Sequence, residues 1–292
     1  MRTLIYHAGA LGDVVATLPL FKAWNRLHPH NSFTFLGNRT PGRLGIAAGY
    51  FSRAWDIDEG RFAPLFSGGA SGALREEIGG FDAALACAAD DSPFIRALHG
   101  AGVPRILHQP PFPTGGQPVV DYHLSLLGDR ILEPACAQPQ VTITAPPAGF
   151  DPGRFSGCIA IHPGSGSPAK NWPAGRFLEL AKVLAANTGR RIAWITGPAE
   201  HGMPSPAECE PVADRDIVEL AVLLSVCGLY AGNDSGVSHL AAAVGAPVVA
   251  LFGPTDPAVW APRGRAVAVV HEPAGLDRIA VDRVAQAALS LL

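Results

Sequence analysis

Short hydrophobic runs alternate along the chain with longer stretches in which apolar residues recur every three or four positions. In the first half, five runs predict strands at residues 3–6, 33–36, 54–57, 83–87 and 105–108. Between the first two runs, Val14, Leu18, Phe21 and Leu27 lie on one face of a predicted helix over residues 14–27. This alternation is typical of βαβ units and predicts a parallel sheet.

The same alternation restarts after a Pro/Gly-rich stretch, APPAGFDPGRFSG at residues 145–157, which we interpret as a linker. The second half predicts strands at residues 158–161, 191–195, 229–231 and 247–251, and helices at 173–187, 216–226, 235–244 and about 277–292. We therefore expect an α/β protein with two domains, residues 1–150 and 151–292, whose last helix could pack back on the first domain. Ligands of such sheets bind beyond the carboxyl ends of the strands, and we expect both domains to present those ends to one cleft.

The composition of the chain limits the classes of function that we expect. The 292 residues are ample for two domains, and 48% of them are hydrophobic. The net charge is −3 and neither half has a basic surplus, so we do not expect a nucleic-acid partner. The five cysteines form no C-x-x-C pair, which predicts neither a zinc site nor a disulfide framework.

The hydrophobic runs are too short for a membrane span. No apolar run reaches 18 residues, and the N-terminus lacks the apolar region and cleavage site of a signal peptide. We expect a cytoplasmic protein that makes at most peripheral contact with the inner membrane.

The first loop, HAGALGDVVATLP at residues 7–19, joins a strand to a helix. It offers Gly9 and Gly12 but not the three glycines of a dinucleotide fingerprint. Asp13 would meet the positive end of the helix dipole, where a pyrophosphate would be repelled by it. Two interpretations remain: Asp13 is an N-cap, or it is also a general base that faces the cleft.

The second loop, IHPGSGSPAKNWP at residues 161–173, follows a strand directly. The small residues Ser165, Gly166 and Ser167 expose backbone N–H groups and hydroxyls, and Lys170 adds a positive charge. This combination suits a diphosphate, although the Walker A pattern is absent. The alternative is a flexible Ser/Gly loop with a solvated lysine.

The third segment, GNDSGVSHLAAAVGAPVVALFGPTDP, begins at the end of a predicted strand. Asp234 could cap the helix that starts at Ser235 or Gly236, or it could bind sugar hydroxyls. The free N–H groups at this helix start can bind an anion. The alternative is an ordinary capped helix in which His239 is a packed residue.

Weaker signals stand elsewhere. Glu200 follows a strand end and could bind a ribose hydroxyl pair, or it could be a surface acid. We interpret His7 as structural, and Trp172 and Trp260 as packing residues.

Three stretches, GALGDVVATLPLFKAW, IHPGSGSPAKNWP and the third segment, occur in an order that resembles the ADP-heptose:lipopolysaccharide heptosyltransferases of glycosyltransferase family 9. The stretch VVDYHLSLLG at residues 119–128 also looks like this family. The resemblance implies the GT-B fold, with two Rossmann-like domains that face a central cleft. It places the acceptor on the N-terminal side and the nucleotide sugar on the C-terminal side, and it implies inversion of the anomeric centre without a metal.

Carried over by position, the resemblance makes Asp13 the catalytic base. The donor-binding positions that it implies are Ser165, Gly166, Ser167, Lys170, Glu200, Asp234, Ser235, Gly236 and His239. The expected protein is a glycosyltransferase that moves a sugar, expected to be heptose, from an ADP-sugar to a lipopolysaccharide-core or related glycan or glycolipid acceptor. It would need no cofactor beyond the donor.

Alternatives stay open at this point. The chain could be another GT-B nucleotide-sugar enzyme, such as an epimerase or a transferase of a different sugar, or a non-catalytic module that binds a nucleotide sugar. A nicotinamide dehydrogenase is disfavoured by the missing glycine fingerprint. Residues 58–81 also lack the basic surplus of family members that act on lipid A core, which leaves the acceptor open.

Overall fold

The computed structural model describes residues 1–67, 69–128, 137–200, 203 and 205–292. It divides into two compact units, Met1–Ala137 and Gln138–Leu292. The stretch interpreted as a linker, residues 145–157, lies within the second unit.

The first unit is built on a parallel sheet. Its strands are β1 (Arg2–His7), β2 (Ser32–Gly37), β3 (Arg53–Asp56), β4 (Ala83–Cys87) and β5 (Ile106–Gln109). Its helices are α1 (Leu11–Leu27), α2 (Arg39–Ala47), α3 (Gly72–Gly79), α4 (Pro93–Ala101) and α5 (Val119–Ser125), with a 3-10 turn at Gly60–Phe66. The strand order β3-β2-β1-β4-β5 reverses direction between β1 and β4, which is where such sheets bind ligands.

The start of the chain forms the centre of this unit. Leu4 and Ile5 in β1 are buried, and α1 is buried over most of its length, from Val14 to Trp24. The indole Nε1 of Trp24 donates to Thr3 Oγ1 at 3.2 Å, which satisfies two buried polar groups at once. The first strand and helix are therefore packed in the core on both sides of the loop that joins them.

The second unit is also built on a parallel sheet. Its strands are β6 (Ile159–His162), β7 (Ile192–Thr196), β8 (Glu210–Ala213), β9 (Leu229–Asn233), β10 (Val248–Phe252) and β11 (Val267–His271). Its helices are α6 (Ala174–Thr188), α7 (Ile217–Val226), α8 (Gly236–Ala243), α9 (Pro257–Trp260) and α10 (Val281–Leu289). Short 3-10 turns lie at Pro152–Phe155, Pro168–Lys170, Pro198–Glu200 and Leu276–Arg278.

The order β8-β7-β6-β9-β10-β11 reverses between β6 and β9, as in dinucleotide-binding sheets. Helices α6 and α10 cover part of the sheet, and Phe177, Leu184, Val284 and Ala288 meet in one buried core. The last helix thus packs within its own unit.

The observed elements follow the predicted alternation, usually with a shift of one residue. Strands β8 and β11 and the short helix α9 were not predicted. Strand β8 has the sequence EPVA at a sheet edge, the place where proline is tolerated, so its pattern gave no strand signal. Among the described residues, no helix combines the length and the apolar character that crossing a membrane requires.

Candidate functional site

Asp13 lies in the first turn of α1, and the prediction that it is the N-cap is wrong. The cap position is Ala10, and Asp13 stands three residues later. Its Oδ2 accepts the Ala10 N–H at 2.9 Å. This is the backward bond made by the acid of a capping box, and it keeps the carboxylate at the positive end of the helix dipole.

Two further side chains hold the loop before Asp13. The Nδ1 of His7 accepts the N–H of Gly9 at 3.0 Å. The Nδ2 of Asn38 donates to the carbonyl oxygens of Ala8 and Gly9 at 3.0 and 2.9 Å. A Cβ on Gly9 would lie 2.5 Å from His7 Cε1 and 2.8 Å from Asp13 Cβ, so the loop needs glycine there. Sequence reasoning missed Asn38 because nothing local links it to a loop about thirty residues earlier.

Three titratable groups near the first loop are neutral. Burial, and then the neighbouring His123, lower the pKa of His7 to about 3. Burial lowers the pKa of His123 to about 4. Burial, and then the charge of Asp13, raise the pKa of Cys87 to about 12. At neutral pH these three groups carry no charge.

In the second unit, the Ser/Gly loop follows β6. Ser165 Oγ lies 2.6 Å from Asn171 Oδ1 and 2.8 Å from the carbonyl oxygen of Ser167, and it accepts the Ser167 N–H at 3.2 Å. The Ser165 hydroxyl is thus used to shape the loop. Gly166 is exposed at the tip of the loop, whereas the base of the loop is held by these hydrogen bonds.

Lys170 and Asp234 meet across this edge of the sheet. The Nζ of Lys170 donates to Asp234 Oδ2 at 2.7 Å, and the side chain of Asp234 is only 8% exposed. Asp234 does not cap α8, because Ser235 occupies the cap position. The carboxylate instead orients the lysine beside the N-terminus of the helix, where the first backbone N–H groups have no partner within the helix.

His239 lies one turn into α8 and is buried. Burial lowers its pKa, Asp234 raises it in part, and Lys170 lowers it again. The neutral ring of His239 is therefore close enough to Asp234 and Lys170 for each charge to shift its pKa.

Glu200 is buried, so the surface-acid interpretation is wrong. Its Oε2 accepts the Gly197 N–H at 2.8 Å and lies 3.5 Å from His162 Nε2. Burial would raise the pKa of Glu200, but these hydrogen bonds outweigh it and the pKa lies below its ordinary value. A Cβ on Gly164 would lie 1.7 Å from Glu200 Oε1, so the acid packs directly against the start of the Ser/Gly loop.

Sequence reasoning also missed Asn233, the last residue of β9. Its side chain is fully buried and bonds to both ends of the Ser/Gly loop. Its place just before Asp234 in the GNDSG stretch was the available signal.

The predicted donor residues therefore gather at the carboxyl ends of β6, β7 and β9, around the strand reversal of the second unit. One cation, a helix N-terminus and a backbone-rich loop suit a phosphorylated ligand, and the buried acids suit hydroxyls. Asp13 lies at the corresponding reversal of the first unit, between β1 and β4.

A family model described as glycosyltransferase family 9 (heptosyltransferase) matches residues 132–278. The chain is 30% identical over 162 residues to lipopolysaccharide heptosyltransferase 2 of Salmonella typhimurium. That match covers 52% of this chain and 43% of the Salmonella protein, so the chain spans less than half of the length of this curated relative.

Solved structures show the fold over the whole chain. The structure of E. coli ADP-heptose lipopolysaccharide heptosyltransferase II has a TM-score of 0.78 at 20% identity and covers 100% of this chain and 98% of its own. An E. coli heptosyltransferase solved with ADP has a TM-score of 0.72 at 19% identity, with 98% of each chain covered. These neighbours and the two parallel sheets confirm the expected fold class, two Rossmann-like domains of the GT-B type.

Proposed function

This chain belongs to glycosyltransferase family 9, the heptosyltransferase family, and from that we propose that it is an inverting, metal-independent glycosyltransferase with an ADP-sugar donor. Heptose is the sugar that we propose, because the matched relatives are named as heptosyltransferases and a structural neighbour is named for ADP-heptose. The proposed acceptor is a lipopolysaccharide core or a related glycan.

The observation that carries this proposal is the pair of Lys170 and Asp234 beside the start of α8. A lysine has three N–H donors, and its bond to Asp234 uses one of them. The others can reach a diphosphate that lies on the helix N-terminus and on the backbone N–H of Gly166. The buried carboxylates of Asp234 and Glu200 supply hydrogen-bond acceptors for sugar and ribose hydroxyls.

We propose that Asp13 takes the proton from the acceptor hydroxyl as that oxygen attacks the anomeric carbon. A single displacement of this kind inverts the anomeric centre. An unperturbed carboxylate is a weak base, and it suffices when the proton moves late, after the hydroxyl has become acidic in the transition state. The bond from the Ala10 N–H holds the carboxylate of Asp13 in place at the positive end of the α1 dipole.

The negative charge that grows on the leaving ADP would be stabilised by Lys170 and by the N–H groups at Ser235 and Gly236. These groups supply the positive charge that many transferases obtain from a divalent cation. Within the described residues, no three His, Cys, Asp or Glu side chains are grouped so that they could hold a metal.

Residues 58–81, the segment expected on the acceptor side, have no basic surplus. Arg61 bonds to Glu59 at 3.0 Å and to Glu77 at 2.9 Å, so its charge is balanced locally. We propose that this segment does not select a phosphorylated acceptor and that a glycan is bound through its hydroxyls. With a lipid-linked acceptor, the protein would meet the cytoplasmic face of the inner membrane peripherally.

The test is a transfer assay with ADP-heptose and a panel of lipopolysaccharide-core acceptors. ADP release is followed by chromatography, and the anomeric configuration of the product is read by NMR, with and without a chelator. We expect one ADP for each new glycosidic bond, inversion, and no effect of the chelator. Retention, dependence on a divalent cation, or ADP release with no new glycosidic bond would contradict the corresponding part of the proposal.

A further inference from the structure

We propose that Asn233 is a positioning residue of the donor site: its buried amide ties together the two ends of the loop that carries Lys170. The inference rests on the proposed function, since it assumes that this loop binds the diphosphate of the donor. Asn233 itself does not touch the donor in this proposal. It acts through the loop.

The hydrogen bonds of Asn233 define the tie. Its Oδ1 accepts the backbone N–H of Trp172 at 3.0 Å. Its Nδ2 donates to the carbonyl oxygen of Pro163 at 2.8 Å and lies 3.4 Å from that of Gly164. The side chain is fully buried, so water does not compete for these bonds. One amide group therefore closes the loop over residues 163–172 at its base.

The backbone of Asn233 is also held by a hydrogen bond from α8. The hydroxyl of Ser238 in α8 donates to the backbone carbonyl of Asn233 at 2.5 Å. The next residue, Asp234, holds Lys170. The loop is thus fixed to the end of β9 twice, once through the amide of Asn233 and once through the ion pair, and the helix N-terminus is fixed to the same point.

Asparagine is the residue that this geometry requires. The loop offers a donor at one end and carbonyl acceptors at the other, and the short amide matches both from one position. A carboxylate in its place would keep the acceptor, but it would turn a negative oxygen toward the carbonyl of Pro163. An alanine would leave the N–H and the carbonyls buried without partners.

A purely structural role predicts lower stability and unchanged ligand affinity of the folded protein, whereas a positioning role predicts weaker binding of ADP. The experiment measures ADP affinity by calorimetry for wild type, Asn233→Ala and Asn233→Asp at pH 7.5. We expect both variants to bind ADP at least about tenfold more weakly, the equivalent of about one buried hydrogen bond.

The matched control is Leu184→Ala. Leu184 is fully buried in α6 and lies ten residues, about 15 Å along the helix, beyond its start. This variant loses core packing far from the loop, and we expect its ADP affinity to stay within about twofold of wild type. Wild-type affinity in both Asn233 variants, or an equal loss in the control, would overturn the inference.

Asn233→Asp adds a readout that lost packing would not produce. A protonated carboxyl can again donate to Pro163, and burial raises the pKa of a carboxyl in this place. We therefore expect the ADP affinity of Asn233→Asp, relative to wild type at the same pH, to recover as the pH falls from 8 to 5. A ratio that does not change with pH would overturn the inference.

Hydrogen exchange of the Trp172 amide separates this inference from the proposed function, because it needs no ligand. We expect faster exchange at Trp172 in Asn233→Ala than in Leu184→Ala at equal global stability, and equal exchange would overturn the tie. If wild type binds no ADP while Trp172 exchange still rises, the donor assignment fails and, with it, the role of Asn233 in binding a donor.

Discussion

Replacement of Lys170 by methionine tests the proposed donor site at its most exposed charged group. The substitution keeps an unbranched side chain of similar length and removes the charge. In the structure, the Nζ atom lies 2.7 Å from Asp234 Oδ2, and the lysine side chain is 36% exposed against 8% for the aspartate. The substitution therefore removes one contact to the proposed diphosphate and one partner of a buried acid.

The expected size of each effect follows from these exposures. A charge-assisted hydrogen bond to the diphosphate contributes about 1.5–3 kcal/mol, which corresponds to a Kd for ADP that is about 10- to 150-fold higher. For stability, exposed ion pairs contribute up to about 1 kcal/mol, and a broken buried pair costs about 3–5 kcal/mol. This half-exposed pair lies between them, so we expect a loss of about 1–3 kcal/mol in the free energy of unfolding.

The assay is calorimetry with ADP, together with urea unfolding. Lys182→Met is the matched control, because Lys182 is an exposed lysine of the same unit in α6 and lies away from the carboxyl ends of the strands. Asp234→Asn removes the acid that orients Lys170 but keeps the cation, so we expect it to weaken ADP binding by less than Lys170→Met does.

Two results would refute this reasoning. If Lys170→Met binds ADP as tightly as Lys182→Met does, Lys170 does not contact the diphosphate. If Asp234→Asn binds ADP as tightly as wild type does, the ion pair does not orient Lys170 for the ligand.

Two further predictions follow from packing and burial. Gly164→Ala would force a Cβ to within 1.7 Å of Glu200 Oε1, so it should lose most ADP affinity in calorimetry, whereas Gly175→Ala, in open space, should keep it. His7 and His123 have folded-state pKa values of about 3 and about 4 against 6.5 for the unfolded chain, so the unfolded state binds more protons at acid pH. Each should lower the free energy of unfolding by about 2 kcal/mol between neutral pH and pH 5, and urea unfolding that shows no such loss would contradict their burial as neutral rings.

The sequence was sufficient to predict the alternating strands and helices of both units. Buried parallel strands are nearly continuous apolar runs, and β1, β4 and β9 stood out for that reason. The places where loops follow strands were also predictable, and so the residues Lys170 and Asp234 could be assigned to one edge of one sheet before their contact was seen.

Side-chain partners were not predictable, because they depend on contacts between distant parts of the chain. The local choices for Asp234 were to cap its own helix or to bind sugar hydroxyls, but its carboxylate pairs with Lys170, which is 64 residues away in the chain. Asn38 and Asn233 each bond to backbone groups of another loop, and no spacing rule identifies such a partner. Glu200 was left between a surface and a binding role, because burial was not readable from its polar surroundings.

The first loop holds the proposed catalytic base, Asp13. Asp13→Asn tests this role most directly, because asparagine can still accept the Ala10 N–H at the start of α1 but cannot take a proton at neutral pH. Asp13→Ala, which also loses that bond, shows how much of any change comes from the helix start alone.

The measurement is the rate of sugar transfer from ADP-heptose at saturating donor and acceptor, with ADP affinity and unfolding recorded on the same samples. We predict that Asp13→Asn folds like wild type, binds ADP with wild-type affinity, and transfers sugar about 10²–10⁴-fold more slowly. A transfer rate within about tenfold of wild type would contradict the account, and Asp13 would then serve only the helix start.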